Sequence, residues 1–319
     1  MRADIKTECT GKWAQVLIDV GYHANLFNGK HQPCTYCGGK DRARWNKVKE
    51  FLICNACGVH QPMEMAMYML NTDYKGAAQH IRPLDAFKME AVKTEAPDLD
   101  KRKYRLSVIL KGCKRITADS VAAKYFAGRC ITEIPKDDCY FHPGLDYFND
   151  KGERRGEHPA IVSRIRTAEG EISSFQVLYL TTDGKKLNTP DCRKILPVIA
   201  PMKGGAIRLY PATDILCIAE GLESAMSVRI DTGLPVWSAV NAGNMESIII
   251  PESVKHVNIF ADSDESFTGQ KSAYALAKRL KIEGGRDTVK VINLIDQEQV
   301  IDSGIKYDFN DYIILQSEA

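Results

Sequence analysis

Four cysteines stand in two tight pairs, Cys34-Thr-Tyr-Cys37 and Cys54-Asn-Ala-Cys57, with sixteen residues between them. This falls inside the C-x₂-C-x₁₅₋₂₀-C-x₂-C spacing of a zinc site. Each pair places two thiolates on one turn, and Gly38-Gly39 and Gly58 follow to allow the backbone to double back. Four sulfurs close a tetrahedral Zn²⁺ shell with no open position, so the metal is structural. A lone C-x-x-C pair would equally suit redox chemistry, but two at this spacing favour metal. His31 and His60 flank the pairs as substitute ligands. Between the pairs runs Lys40-Asp-Arg42-Ala-Arg44-Trp45. Alternate cations beside an aromatic ring suit single-stranded nucleic acid, the cations for phosphate and the ring for stacking. A solvated strand with Trp45 packed on the zinc knuckle accounts for the same residues equally well.

The second group is acidic. Glu220 directly follows an apolar run, LCIA, and precedes a glycine and a helical pattern. Asp262 and Asp264 follow a second run, VNIFA, as D-S-D, and Asp308 and Asp311 lie in YDFNDYI after a third, VKVINLI. Residues i and i+2 share a face as the chain leaves a sheet, so Asp262 and Asp264 can be presented together. In open α/β sheets ligands bind at the carboxyl ends of strands. Carboxylates gathered there repel one another unless a cation neutralises them, and hard oxygen ligands point to Mg²⁺ or Mn²⁺. Phosphoryl or nucleotidyl transfer uses such a cluster. Any one of these acids alone would read as a helix cap or loop carboxylate.

The elements that position these groups are legible in outline. Residues 10–24 read as an amphipathic helix with Trp13, Val16, Leu17 and Val20 on one face, and 62–82 as a second helix opening at Pro62. Residues 83–103 are charged and poorly periodic, with prolines at 83 and 97, and read as a linker. A helix is expected over 115–127 and strands punctuated by turns over 139–212. From 213 the pattern alternates: strands at 216–219, 236–240, 257–261 and 289–295, helices at 222–232 and 268–283. That alternation predicts a parallel α/β sheet.

Composition excludes several classes. The chain has 319 residues, with 43 Lys+Arg against 41 Asp+Glu, net +2. Residues 1–60 hold 9 basic and 5 acidic residues, net +4, and the remainder 34 against 36, net −2. A mildly basic start is joined to a mildly acidic body. No apolar run approaches the roughly 18–20 residues of a membrane helix. The opening residues lack the apolar stretch of a secretory signal. The other six cysteines are scattered through a long chain. This reads as a reducing cytoplasm with one metal site, not a disulfide framework.

The residues around these groups carry a resemblance. Glu220-Gly221 followed by Asp262-Ser-Asp264 resembles the Toprim signature of primases, topoisomerases and some nucleases. HQPCTYCGGKDRARW…CNACG resembles the zinc-binding domain of phage and satellite-element primases, and AEGLESAMSV, with Glu223, resembles their EGIETALA motif. Lys185-Lys186-Leu-Asn188-Thr-Pro190, then Lys203-Gly204, then Leu209-Tyr210, is similar to a lysine-bearing run of bacterial replicative primases. In that family the lysines matched by Lys186 and Lys203 face the nucleotide and the primer–template channel. YDFNDY resembles the element closing the Toprim domain. There the family carries D-x-D, and here Asp308 and Asn310 occupy the positions with Asp311 adjacent, leaving Asp308 and Asp311 both as candidate ligands.

The resemblance implies a multidomain α/β protein: a zinc-binding domain over 1–82, a linker over 83–103, an α+β basic subdomain over 104–212 and a Toprim parallel α/β domain over 213–319. It implies a DNA primase of phage, plasmid or mobile-element type, acting in the cytoplasm of a bacterial host. Single-stranded DNA would be the template and ribonucleoside triphosphates the substrates. Catalysis would fall to Glu220, Asp262, Asp264 and Asp308 with Mg²⁺ or Mn²⁺, and to Lys186 and Lys203. Lys40, Arg42, Arg44 and Trp45 would contact DNA. With no G-x-x-x-x-G-K-[ST] motif in the sequence, a separate replicative helicase is implied. A Toprim nuclease and a non-catalytic zinc/Toprim recombination mediator are the alternatives. Neither has use for the 185–210 run.

Overall fold

Alternation explains the first sheet. In β1 (Ala43–Asn46), Ala43 and Trp45 point inward while Arg44 points out. β2 (Phe51–Cys54) and β3 (Gly58–His60) complete an antiparallel meander, with Arg44 opposite Ile53 and Ile53 opposite Val59. The structure is a computed structural model and describes residues 4–91, 98–149, 152–293 and 307–318. It divides into two units, 1–97 and 98–319.

In the first unit, α1 (Ile5–Glu8), α2 (Trp13–Val20), α3 (Pro62–Leu70), α4 (Tyr74–Ile81) and α5 (Asp85–Lys88) accompany the sheet. Trp13, Val16, Leu17 and Val20 of α2 form one core with Phe27, Trp45, Leu52, Met65 and Ile81. The single helix expected over 62–82 is two, because Asn71 adopts a left-handed conformation (φ 48°) that ends α3, and Asp73 caps α4 through the Gly76 N–H. The stretch 83–103 is not plain linker. Ala86 of α5 is buried in the first core, and α6 (Leu99–Gly112) starts the second unit. Residues 92–97 lie outside the described residues.

In the second unit, α6 buries Leu106 and Ile109 with Leu145, Tyr147 and Phe175. The helix expected over 115–127 is confined to α7 (Val121–Ala127), where the Ser120 side chain accepts from the Ala123 N–H and fixes the start. β4 (Cys139–Phe148), β5 (Arg154–Arg166), β6 (Ile172–Tyr179) and β7 (Arg193–Ile195) make an antiparallel sheet in that order. β8 (Ile215–Ala219), α8 (Leu222–Thr232), β9 (Val236–Ser238), α9 (Ala242–Met245), β10 (His256–Ala261), α10 (Thr268–Glu283), β11 (Thr288–Asn293) and α11 (Phe309–Glu318) follow. The four strands among them form a parallel sheet, ordered β11-β10-β8-β9. The final two residues of the strand expected over 289–295 lie outside the described residues.

Residues 206–207 join the two sheets, Ala206 bridging Arg166 and Ile207 bridging Ser238. Gly205 is required at this seam, since a Cβ there would sit 2.0 Å from the Arg166 carbonyl oxygen. Among the described residues, no helix is long and apolar enough to cross a membrane.

Candidate functional site

The four thiols come together. Among the described residues, Cys34, Cys37, Cys54 and Cys57 are the one group of three or more potential ligands whose donor atoms all lie within 4.8 Å of one another. Cys34 and Cys57 Sγ are 3.5 Å apart and Cys37 and Cys54 Sγ 3.7 Å. Edges of about 3.8 Å follow for a tetrahedron of Zn–S bonds near 2.3 Å, so the residues fit zinc. The N–H groups of Tyr36 and Ala56 point at the sulfurs of Cys34 and Cys54, each at 3.4 Å. Neither histidine joins the group. His31 Nδ1 lies 3.3 Å from the Asp41 carbonyl oxygen. His60 stacks on Tyr36 at 3.8 Å and sets its Nε2 3.1 Å from Cys57 Sγ, the place of a partner that supports a ligand.

On the ribbon, Lys40, Arg42 and Arg44 are exposed. Trp45 is not available to a base. It is 2% exposed, with its ring edge-on to Phe27 at 5.0 Å. The strand alternation that turns Arg44 outward turns Trp45 inward, and the packing reading replaces the stacking one.

In the parallel sheet, β8 is followed by β9 on one side, and the chain then returns to lay β10 on the other. The carboxyl ends of β8 and β10 are therefore the switch point where such sheets bind ligands. Ala219 pairs with Phe260, so Glu220 and Asp262 emerge beside each other from neighbouring strands. Ser238 Oγ donates to the Glu220 carbonyl at 3.0 Å. Asp262 is buried. Gly269 of α10 closes on it, since a Cβ there would lie 2.3 Å from the Asp262 carbonyl oxygen.

Asp264 receives the N–H groups of Ser266 at 2.8 Å and Gly269 at 3.4 Å. Burial pushes its pKa up, but the Ser266 hydroxyl and these N–H groups outweigh burial and hold it below the usual aspartate value. Asp308 caps α11, accepting from the N–H groups of Asn310 at 2.8 Å and Asp311 at 3.0 Å. Burial and the neighbouring Asp311 push its pKa up. Asp311 returns the cap by accepting the Asp308 N–H at 3.1 Å and lies 3.7 Å from Arg129. Asn310 is fully buried, and its amide donates to the Arg129 carbonyl and to Ser227 Oγ, each at 2.8 Å. The position matched to the family's second acid is thus an internal anchor. The acids do not close to within 4.8 Å as the thiols do.

Lys186 reaches this edge, its Nζ 3.5 Å from Glu223 in the first turn of α8. Lys203 is exposed on a loop fastened to the end of β9. The buried Asn244 amide donates to the Gly205 carbonyl at 2.8 Å and the Ala239 carbonyl at 2.9 Å, and Asn244 Oδ1 accepts the Gly204 N–H at 3.3 Å. Sequence reasoning missed Asn244, Arg193 and Tyr125. None carries a motif, and their roles come from contacts across elements.

Residues 215–319 match the family model of the Toprim domain, and residues 100–209 match a domain of unknown function (DUF7146). The chain is similar to the zinc-binding and RNA polymerase domains of the Aquifex aeolicus primase (14% identity, 99% of this chain and 85% of that one, TM-score 0.40). It is also similar to a DNA primase domain from Pseudomonas aeruginosa (16%, 69% and 78%, TM-score 0.41) and to the primase fragment of the bacteriophage T7 primase-helicase (14%, 90% and 98%, TM-score 0.35).

Proposed function

With a Toprim domain over residues 215–319 as premise, we propose that the chain is a DNA primase. It makes short RNA primers on single-stranded DNA from ribonucleoside triphosphates, in the replication of a phage, plasmid or mobile element. The observation that supports this most is one juxtaposition. The Ser263–Tyr307 bridge carries Asp308 to the strand end where Asp262, Asp264 and Glu220 already stand. A four-thiol ribbon on the same chain adds the template-handling module a nuclease does not need.

Asp262, Asp264 and Asp308 are the residues that would hold a divalent cation. Their oxygen donors suit Mg²⁺ or Mn²⁺, and Asp262 and Asp264 stand where β10 of the open parallel sheet ends. Such an ion, when bound, supplies charge against the triphosphate. Glu220 either joins these ligands or takes the proton of the attacking 3′-hydroxyl. Lys186 and Lys203 attract phosphate as point charges. Arg42 and Arg44, exposed on the ribbon, take template phosphates.

The test is incubation with single-stranded DNA, labelled ATP and the other ribonucleotides. Short RNA that disappears on Asp262→Asn supports the reading. Shortened DNA in place of new RNA makes the protein a nuclease. DNA binding with neither reaction makes it an accessory protein.

A further inference from the structure

Glu223 is a buried carboxylate that gathers three donors on one oxygen. Its Oε1 accepts the Tyr125 hydroxyl at 2.7 Å and Arg193 Nη2 at 2.5 Å, with Lys186 Nζ at 3.5 Å. The Glu223 side chain is 5% exposed, but those of Arg193 and Lys186 are 40% and 42% exposed. Each cation is pinned on one side and open to solvent on the other. One carboxylate against two cations leaves the group net positive. Its place matters as well. Glu223 sits three residues beyond Glu220, in the first turn of the eleven-residue α8, whose N-terminus adds partial positive charge.

We propose that Arg193 joins Lys186 in gripping the phosphate oxygens of the incoming nucleoside triphosphate, and that Glu223, seconded by Tyr125, is the positioning residue that holds both cations ready. This rests on the primase reading above. The planar guanidinium suits phosphate because it offers five N–H donors in a fixed fork, of which one, on Nη2, is spent on Glu223. The buried carboxylate cannot reach a ligand itself, and its charge is already met by Arg193, Lys186 and Tyr125, which hold its pKa down in spite of burial. It restricts the rotamers of two long side chains before substrate arrives, which lowers the entropy lost on binding. A mere clasp between β7 and α8 would need only one of the two cations, and would bury it.

The test uses the full chain, with tripolyphosphate as probe in magnesium-free buffer, and measures binding, melting temperature and primer synthesis. Arg193→Ala should weaken tripolyphosphate binding and raise KM for ribonucleotides by about tenfold to a hundredfold, the range of a charge-assisted hydrogen bond, with kcat less affected. Arg193→Lys should recover part of the loss. Glu223→Gln should weaken tripolyphosphate binding although it removes a negative charge, because the cations lose their anchor. Tripolyphosphate binding unchanged in Arg193→Ala would overturn the proposal. So would a fall in kcat and melting temperature at constant KM, the signature of a clasp. If the wild type binds tripolyphosphate through Arg193 yet makes no primer, the anion site stands and the primase reading falls.

Discussion

Tyr307 and Ser263 exchange two backbone hydrogen bonds, each 2.9 Å, and this one bridge sets Asp308 against the segment that carries Asp262 and Asp264. Ser263 lies between the two aspartates, so the pairing delivers the start of α11 to the carboxyl end of β10. Asp308 and Asp311 then divide their work. Asp308 is cap and candidate ligand, whereas Asp311 closes the cap and faces Arg129.

Asp308→Asn should abolish primer synthesis by orders of magnitude while keeping the cap, since Asn caps helices as well as Asp. Asp311→Asn should leave synthesis near wild type and change stability little, because its amide oxygen can still accept the Asp308 N–H. Initial rates and melting temperatures of the pair check this. Inactive Asp311→Asn with active Asp308→Asn would move the ligand by three residues.

A pH dependence follows from Asp308. Its pKa is raised in the folded protein, so the native state binds more protons than the unfolded chain between the two pKa values. Stability therefore falls as pH rises through that window. In magnesium-free buffer, Asp308→Asn should remove this fall and be at least as stable as wild type at neutral pH. Urea melts at several pH values measure it, and identical profiles for the two proteins would refute it.

Asn310→Asp, which restores the family's D-x-D, should not raise activity. The Asn310 amide donates to the Arg129 carbonyl and Ser227 Oγ inside the core. A carboxylate cannot donate there and would be buried against a carbonyl oxygen. The loss should be about 1–3 kcal/mol or more, visible as a lower melting temperature.

Trp45→Ala should act on stability, not on base stacking. Emptying this buried site should cost the first unit about 3–5 kcal/mol. Arg44→Ala should spare stability and weaken single-strand binding, lowering the log–log salt slope by about 0.7 if the contact is to phosphate. Salt titrations and melts separate the two effects.

Cys54→Ser should lose the metal, which metal analysis should find at about one zinc per wild-type chain. Trp13 and Trp45 share the core that contains Cys34 and Cys54, so their emission should move to the red on metal loss, while that of Trp237 in the second unit should not. Full zinc retention in the variant would refute the assignment.

Chemistry that depends on local spacing was legible in the sequence. The two cysteine pairs form tight turns within a few residues, and their closure into a four-thiol group needs only a short meander between them. The positions of Glu220, Asp262 and Asp264 just beyond strands were legible because apolar runs announce strands. The start of α8 and both ends of α10 could be read from the same periodicity. Three things needed the folded chain. The orientation of Trp45 depends on which face of a three-residue alternation the core covers, and composition is blind to that. The break at Asn71 and the late start of α7 are set by single backbone and cap geometries that a hydrophobic period averages away. The roles of Asp308, Asn310, Glu223 and Arg193 rest on pairings of residues 30 to 181 positions apart, such as Arg193 with Glu223 and Arg129 with Asn310. No local signal encodes those contacts, because burial assigns a polar side chain its partner only once distant elements have packed.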